Sequence, residues 1–394
     1  MYLSIIENDR KYIAETYNRF QVAFEKGKGS LLYDVDGKRY IDLASGVAVN
    51  IFGVGDDEWK KAVIDQLNNI QHTSNLYYSK PQTELARILC ERTGMKKVFF
   101  VNTGAEANET AIKAVRKYSY NKYGEGRNAI ITLENSFHGR TMGALSATGQ
   151  PNYHVGFGPM LGGFVYTPAN DIEKLKEAVK NNKCCAMMLE FIQGEGGLNM
   201  LTEEYIKAAA QLCKENDILF IADEVQTGNG RTGKLYAYMH YGLEPDVITT
   251  AKGLGAGLPI GATILGEKLK DVFTLGSHGS TFGGNPVCAA GAISVMNRLT
   301  DELFAEVTEK GEFIKNELKG AKGVKSVCGM GLMVGIETDA PPADVAKKAV
   351  ENGVLVLTAK TKVRLLPPLN IPFDVLKEAV ELLKQTIAEC SQNL

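Results

Sequence analysis

Five short apolar runs, at residues 97–101, 129–133, 184–191, 218–225 and 247–250, constrain this chain more than any other feature. Their apolar residues are consecutive rather than alternating, as in Ile218-Leu-Phe-Ile-Ala222, the pattern of strands buried on both faces, and helical or loop stretches separate them. That rhythm predicts an α/β fold: a mostly parallel sheet flanked by helices. Helical spacing also appears between 56 and 92, as in Trp59, Ala62, Val63 and Leu67. Towards the amino end, residues 31–42 offer two strands around the Asp36-Gly37 turn. After Gly284-Asn-Pro286 the pattern changes to a long helical stretch, short strands near 324–327 and 331–337, and a terminal helix from Phe373. At 394 residues the chain is long enough for a large and a smaller domain. The expected division is a segment 1–46 joining the small domain, a large domain over 47–286, and a small α+β domain over 287–394.

Composition excludes several classes. A net charge of −2 gives no argument for nucleic acid or a membrane surface as a partner. No segment approaches the roughly 20 apolar residues of a membrane span, and the amino terminus has no cleavage signal. Seven cysteines, scattered without a C-x-x-C pair or metal-type spacing, point to reduced thiols and to no metal site. A soluble cytoplasmic protein is the expectation.

Two residues at predicted strand ends carry chemistry. Lys252 follows the run Val247-Ile-Thr-Thr-Ala251 and opens a glycine-rich turn. Desolvation favours the neutral amine, which is the nucleophile that condenses with an aldehyde to give a Schiff base. Asp223 ends the run Ile218-Leu-Phe-Ile-Ala222, twenty-nine residues upstream. That distance matches one strand, a crossover and the next strand, so both residues fall on the carboxyl rim of one sheet, where open α/β sheets bind ligands. A buried carboxylate opposite a Schiff-base lysine suits pyridoxal phosphate, because it keeps the pyridine nitrogen protonated and the ring an electron sink. Taken singly, each also fits a plainer role, a solvated lysine or a salt-bridged strand-end acid.

Other loops follow the same strands. Thr103 and Gly104 precede a helix whose amides would face outward as a phosphate seat, although Thr103 with Glu106 also fits an ordinary capping box. In Glu134-Asn-Ser-Phe-His-Gly-Arg140, Phe137 suits stacking on a flat ring and Arg140 suits forking onto a carboxylate; packing and a solvated arginine are the alternatives. The stretch Gly276-Ser-His-Gly-Ser-Thr-Phe-Gly-Gly-Asn-Pro286 combines hydroxyls and glycines as anion-binding loops do, and also reads as a flexible loop.

With these motifs in this order, the chain resembles the class III (fold type I) pyridoxal phosphate aminotransferases from Gly37-Lys-Arg-Tyr-Ile-Asp-Leu43 to Val363-Arg-Leu-Leu-Pro-Pro-Leu369. The resemblance implies that Lys252 forms the Schiff base and Asp223 pairs with the pyridine nitrogen. It implies that Val225 and Phe137 lie on opposite ring faces, that Gln226 reaches the ring hydroxyl, and that Gly104 and Ala105 hold the phosphate. Thr281 would bind the phosphate from the partner subunit and Ser280 would touch substrate, so the family implies a homodimer with shared sites.

The same resemblance implies the substrates. Arg364 is similar to the arginine that grips the α-carboxylate of glutamate or 2-oxoglutarate, Glu195 to the acid that neutralises it when the other donor binds, and Arg140 to the residue that holds the α-carboxylate of N2-acetylornithine. Gly46 stands where ornithine δ-aminotransferases place a tyrosine, and His72-Thr-Ser-Asn-Leu-Tyr-Tyr78 is similar to the branch that uses the acetylated donor. The expected reaction moves the δ-amino group of N2-acetylornithine to 2-oxoglutarate in two half-reactions. Alternatives within the family are ornithine, succinylornithine, 4-aminobutyrate and succinyl-diaminopimelate as donors. A non-catalytic binding protein or a nicotinamide oxidoreductase is the reading from another class, and no G-x-G-x-x-G opens a helix after the first strand. Two departures from the family pattern bear on the substrate entrance: Asn50-Ile-Phe-Gly-Val-Gly-Asp-Asp57 replaces a Gly-His-x-His-Pro turn, and Phe191 replaces a proline.

Overall fold

The apolar runs form the middle of a seven-stranded sheet in the computed structural model, which describes residues 2–392. We label its strands β1 (Lys97–Val101), β2 (Ala129–Leu133), β3 (Phe164–Thr167), β4 (Cys184–Leu189), β5 (Leu219–Asp223), β6 (Val247–Thr250) and β7 (Gly261–Leu265). Their order is β1-β7-β6-β5-β4-β2-β3. Six strands point the same way, and β7 runs antiparallel between β1 and β6. Strands β3 and β7 escape the apolar-run reading: β3 is an only partly buried edge strand behind Gly162-Gly163, and β7 starts inside the glycine-rich segment after Lys252. The central strands β4, β5 and β6 are buried at every position, as their continuous hydrophobicity demands. Helix Gly104–Tyr123 lays Ala111, Ile112 and Val115 on this sheet against Ile130, Met188, Ile221 and Val247.

The chain divides into two units, 57–308 and 1–56 with 309–394, rather than at 46 and 286. Helix Pro286–Arg298 falls within the first because it packs on helices Asp57–Asn69 and Lys80–Thr93. Asn285 starts that helix by accepting from the amides of Val287 and Cys288, with Pro286 at its first position.

The second unit contains a sheet of Phe24–Lys28, Leu31–Asp34, Arg39–Asp42 and Val354–Leu355, and an antiparallel sheet of Val324–Met330, Met333–Thr338, Lys362–Leu365 and Leu357–Ala359. The Asp36-Gly37 turn forms because Asp34 Oδ1 accepts from the amides of Asp36 and Lys38 while Gly37 supplies φ +86°. In the 50–57 segment, Ile51 and Phe52 are buried, and Gly53 lies so close to Gly29 that a Cβ would sit 2.4 Å from its carbonyl oxygen. Among the described residues, no helix is long and apolar enough to cross a membrane.

Candidate active site

Parallel strands deliver their following residues to one rim. Asn102 follows β1, Glu134 to His138 follow β2, Glu190 follows β4, Asp223 closes β5 and Lys252 follows β6. Asp223 pairs in register with Thr249, three residues before Lys252, so the two predicted catalytic residues sit on adjacent strand ends.

Asp223 is 3% exposed and clamped. Its Oδ2 accepts from His138 Nδ1 at 2.7 Å and from Asn108 Nδ2 at 2.8 Å, and its Oδ1 accepts from the Val225 amide at 3.1 Å. Asn108 also donates to the His138 carbonyl, and the His138 amide donates to Thr148 Oγ1, so the histidine is fixed at both backbone and ring. Burial opposes protonation of His138, but the hydrogen bond and charge of Asp223, with Glu190 beyond, raise its pKa above the ordinary imidazole value. Glu190 accepts from the Phe137 amide at 2.8 Å. Burial, opposed by His138, reinforced by Asp223 and opposed again by the Lys252 ammonium, pushes its carboxyl up to about 7. Glu224, facing away on the next residue, accepts from Thr227 Oγ1 and the Tyr238 amide, and burial pushes it up to about 7 as well.

The turn around Lys252 is held by its neighbours. Lys252 itself adopts φ +46°, an uncommon conformation for a side chain with a Cβ. Asn229 Nδ2 donates to Thr250 Oγ1 and to the Ala251 carbonyl, and Trp59 Nε1 donates to the Gly255 carbonyl.

Beside β5 lies the start of helix Gly104–Tyr123. Thr103 caps it by accepting from the Glu106 amide at 3.1 Å, while the Glu106 carboxylate reaches back to the Asn102 amide at 2.7 Å. Thr103 is therefore the cap that the sequence offers, with Glu106 reaching one residue further back than a strict capping box, and the ordered helix end also faces the rim. A Cβ on Gly104 would meet Val225 Cγ1 at 2.5 Å, so these two residues are in direct contact. Ala105 lies under Gly139, where φ +139° and a Cβ clash at 2.7 Å both require glycine. A buried clamped carboxylate, a lysine, and a helix amino terminus with small residues meet here on one sheet edge. That donor set fits a pyridine nitrogen, an aldehyde and a phosphate respectively.

The other candidates of this unit lie on nearby segments, and Arg364 lies in the other unit. Gln226 is buried against Gly194, whose hypothetical Cβ would fall 2.2 Å from its Oε1. Glu195 follows in the same turn and is half-buried. The Arg140 guanidinium lies 3.8 Å from the Tyr153 ring centroid and 5.6 Å from that of Phe137. Ser280 turns inward, accepting from the Gly283 amide at 3.0 Å, with Asn75 Nδ2 on the Ser280 and Gly283 carbonyls, while Thr281 is exposed. Arg364 belongs to the other unit, buried on strand Lys362–Leu365 opposite Gly335. Phe191 stacks on Tyr241 at 5.7 Å and is 1% exposed; the substitution for proline is filled by aromatic packing.

The sequence reading passed over His138, Asn108, Glu190 and Tyr153. His138 lies between Phe137 and Arg140, and its position just past a strand is the signal the sequence offers. Nothing in the spacing links it, or Asn108, to Asp223.

Residues 12–387 match the family model described as aminotransferase class-III. An acetylornithine aminotransferase of Haemophilus ducreyi is 48% identical over 383 residues, 97% of this chain and 98% of that protein. The ornithine aminotransferase structure from Toxoplasma gondii ME49 superposes with a TM-score of 0.95 at 32% identity, covering 100% of this chain and 96% of that one. An acetylornithine aminotransferase structure from Elizabethkingia anophelis gives 0.89 at 34% identity, covering 98% and 99%. This chain belongs to the class-III aminotransferases, enzymes that depend on pyridoxal 5′-phosphate.

Proposed function

We propose that this enzyme moves the δ-amino group of N2-acetyl-L-ornithine to 2-oxoglutarate, giving N-acetyl-L-glutamate 5-semialdehyde and L-glutamate. The observation that carries the reading is the pairing of Lys252 with the clamped Asp223 on adjacent strand ends, beside the Gly104 helix terminus. Acetylornithine aminotransferases at 48% and 49% identity over nearly the full length support the donor. So does Gly46, whose added Cβ would meet nothing nearer than 3.7 Å and which leaves open the place of the selecting tyrosine.

Bound pyridoxal phosphate supplies an aldehyde for the amine and a ring that takes up an electron pair. The chain does the rest. Asp223, held as an acceptor by His138 and Asn108, keeps the ring nitrogen protonated. Gly104 and Ala105 would offer helix-terminal amides to the phosphate, Val225 and Phe137 would lie beside the ring, and Gln226 would hydrogen-bond its hydroxyl. Lys252 would hold the cofactor aldehyde in the resting enzyme, and its amine, once the donor's amine has taken that place, would move the proton at the amine-bearing carbon, as base and then as acid. Arg140 grips the donor's α-carboxylate. Arg364 is assigned to the α-carboxylate of 2-oxoglutarate, and Glu195 to the charge compensation that substrates of different length and charge require.

The enzyme acts as a homodimer in which Ser280 and Thr281 complete the partner's site. Exposed apolar side chains support this: Leu76, Tyr77, Tyr78 and Phe282 surround a segment tied together by Asn75, and Tyr78 is fully exposed. A groove of about 490 Å³ lined by Ile70, Tyr78, Pro286 and Ile293 lies on the same unit. A cytoplasmic location accords with seven free cysteines. The test is initial rates with 2-oxoglutarate and N-acetylornithine, ornithine, succinylornithine, 4-aminobutyrate or N-succinyl-diaminopimelate as donor. The highest kcat/KM belongs to N-acetylornithine; a higher value for any other donor moves the substrate assignment.

A further inference from the structure

We propose that Tyr153 is the positioning residue for donor recognition: its ring carries the face of the Arg140 guanidinium and aims the arginine's edge at the donor carboxylate. The inference rests on the reading of Arg140 given above and extends it to a residue outside the family motif.

The contact is close, with Arg140 Cζ over the Tyr153 ring and 3.8 Å from its centroid. Tyr153 in turn meets the edge of Phe137, 6.1 Å between centroids at 84°, so the three side chains form one block at the mouth of β2. An exposed arginine otherwise has four rotatable bonds to order on binding. Lying on a ring removes much of that cost before the ligand arrives, and a guanidinium on an aromatic face keeps all its N–H groups pointing outward in its own plane.

The platform is anchored on both sides. Tyr153 ends the short turn Pro151–Tyr153, and its amide donates to the Gln150 carbonyl at 3.0 Å. Gln150, 3% exposed, donates from Nε2 to the Ser136 carbonyl at 3.1 Å. His154 Nε2 lies 2.9 Å from both the Leu145 and Thr148 carbonyls, which fixes the tautomer with its proton on that nitrogen. Thus Gln150 fastens the turn to the segment that bears Phe137 and Arg140, and His154 fastens it to the helix Met142–Ala147 that follows. One buried side chain, Gln150, and one partly buried one, His154, hold the turn that carries this ring.

The experiment compares Tyr153→Phe and Tyr153→Leu with Arg140→Ala in the pyridoxal phosphate-loaded enzyme, measuring each half-reaction separately. Tyr153→Leu raises the KM for N-acetylornithine roughly three- to tenfold with kcat within about twofold, and leaves the 2-oxoglutarate half unchanged. Tyr153→Phe, which keeps the face, behaves as wild type. Calorimetric titration with Nα-acetyl-L-norvaline, the donor without its amine, gives the same ratio as a dissociation constant and needs no turnover. An unchanged KM in Tyr153→Leu, an equal loss in both halves, or a Phe variant as impaired as Leu overturns the inference. If Tyr153→Leu does not fold, Tyr153→Gln replaces it under the same criteria. Should Arg140→Ala leave donor KM untouched, the reading of Arg140 fails instead; should it raise KM strongly while Tyr153→Leu does not, only the role of Tyr153 fails.

Discussion

His138 donates through Nδ1 to Asp223 Oδ2 at 2.7 Å, and both side chains are sealed from solvent. The pair makes Asp223 a fixed acceptor with one lone-pair direction already committed, rather than a strand-end charge free to reorient. Removing the imidazole leaves the carboxylate buried with a weaker clamp. We expect His138→Leu to lower the single-turnover rate on the order of tenfold to a hundredfold, the worth of a hydrogen bond to a buried charge. Rapid-mixing spectroscopy checks this, and His138→Gln, which can still donate, recovers part of the loss.

Lys252→Ala is expected to abolish turnover while leaving the fold intact. Circular dichroism and the thermal midpoint serve as the fold control, and substantial residual transamination contradicts the role assigned to the lysine.

Gly104 touches Val225, and an added Cβ would lie 2.5 Å from Val225 Cγ1. Overpacking of that kind costs roughly 1–3 kcal/mol. Gly104→Ala therefore weakens cofactor retention, measured by absorbance after gel filtration, and Val225→Ala in the same chain restores it.

Glu224 gives a pH dependence whose sign follows from proton binding. The folded state holds its proton up to about 7, whereas an unfolded carboxyl releases it near 4.5. Between those values the folded state binds more protons, so this group's contribution to stability is present below about pH 4.5 and is lost as pH rises through about 7. Glu224→Gln, a mimic of the protonated form, is expected to flatten that fall. Melting curves from pH 5 to 8 decide it; the same slope in both proteins contradicts the assignment.

Arg364→Ala is expected to lower kcat/KM for 2-oxoglutarate by roughly one to two orders of magnitude, and for N-acetylornithine by less than about threefold. Equal losses contradict the assignment of Arg364 to 2-oxoglutarate.

What the sequence made legible follows from where the information is local. Continuous apolar runs identify β4, β5 and β6 because strands buried on both faces need no polar alternation. Asp36-Gly37 announces its turn because only a few residues tolerate that geometry. Strand β7 was hidden because Gly261 is required for close approach to the Thr103 carbonyl, and a glycine there reads as turn. The left-handed turn at Ser45, Gly46, Val47 and Ala48 was equally hidden, since three of those residues ordinarily avoid positive φ and only their surroundings impose it. His138 and Asn108 converge on Asp223 from different elements, a relation no spacing encodes.

The visible spectrum of the purified enzyme tests the central claim most directly. The account predicts a yellow absorbance with pyridoxal phosphate that N-acetylornithine bleaches more readily than ornithine or 4-aminobutyrate, and that 2-oxoglutarate restores. A protein that stays colourless with added pyridoxal phosphate, or a band indifferent to N-acetylornithine, contradicts it.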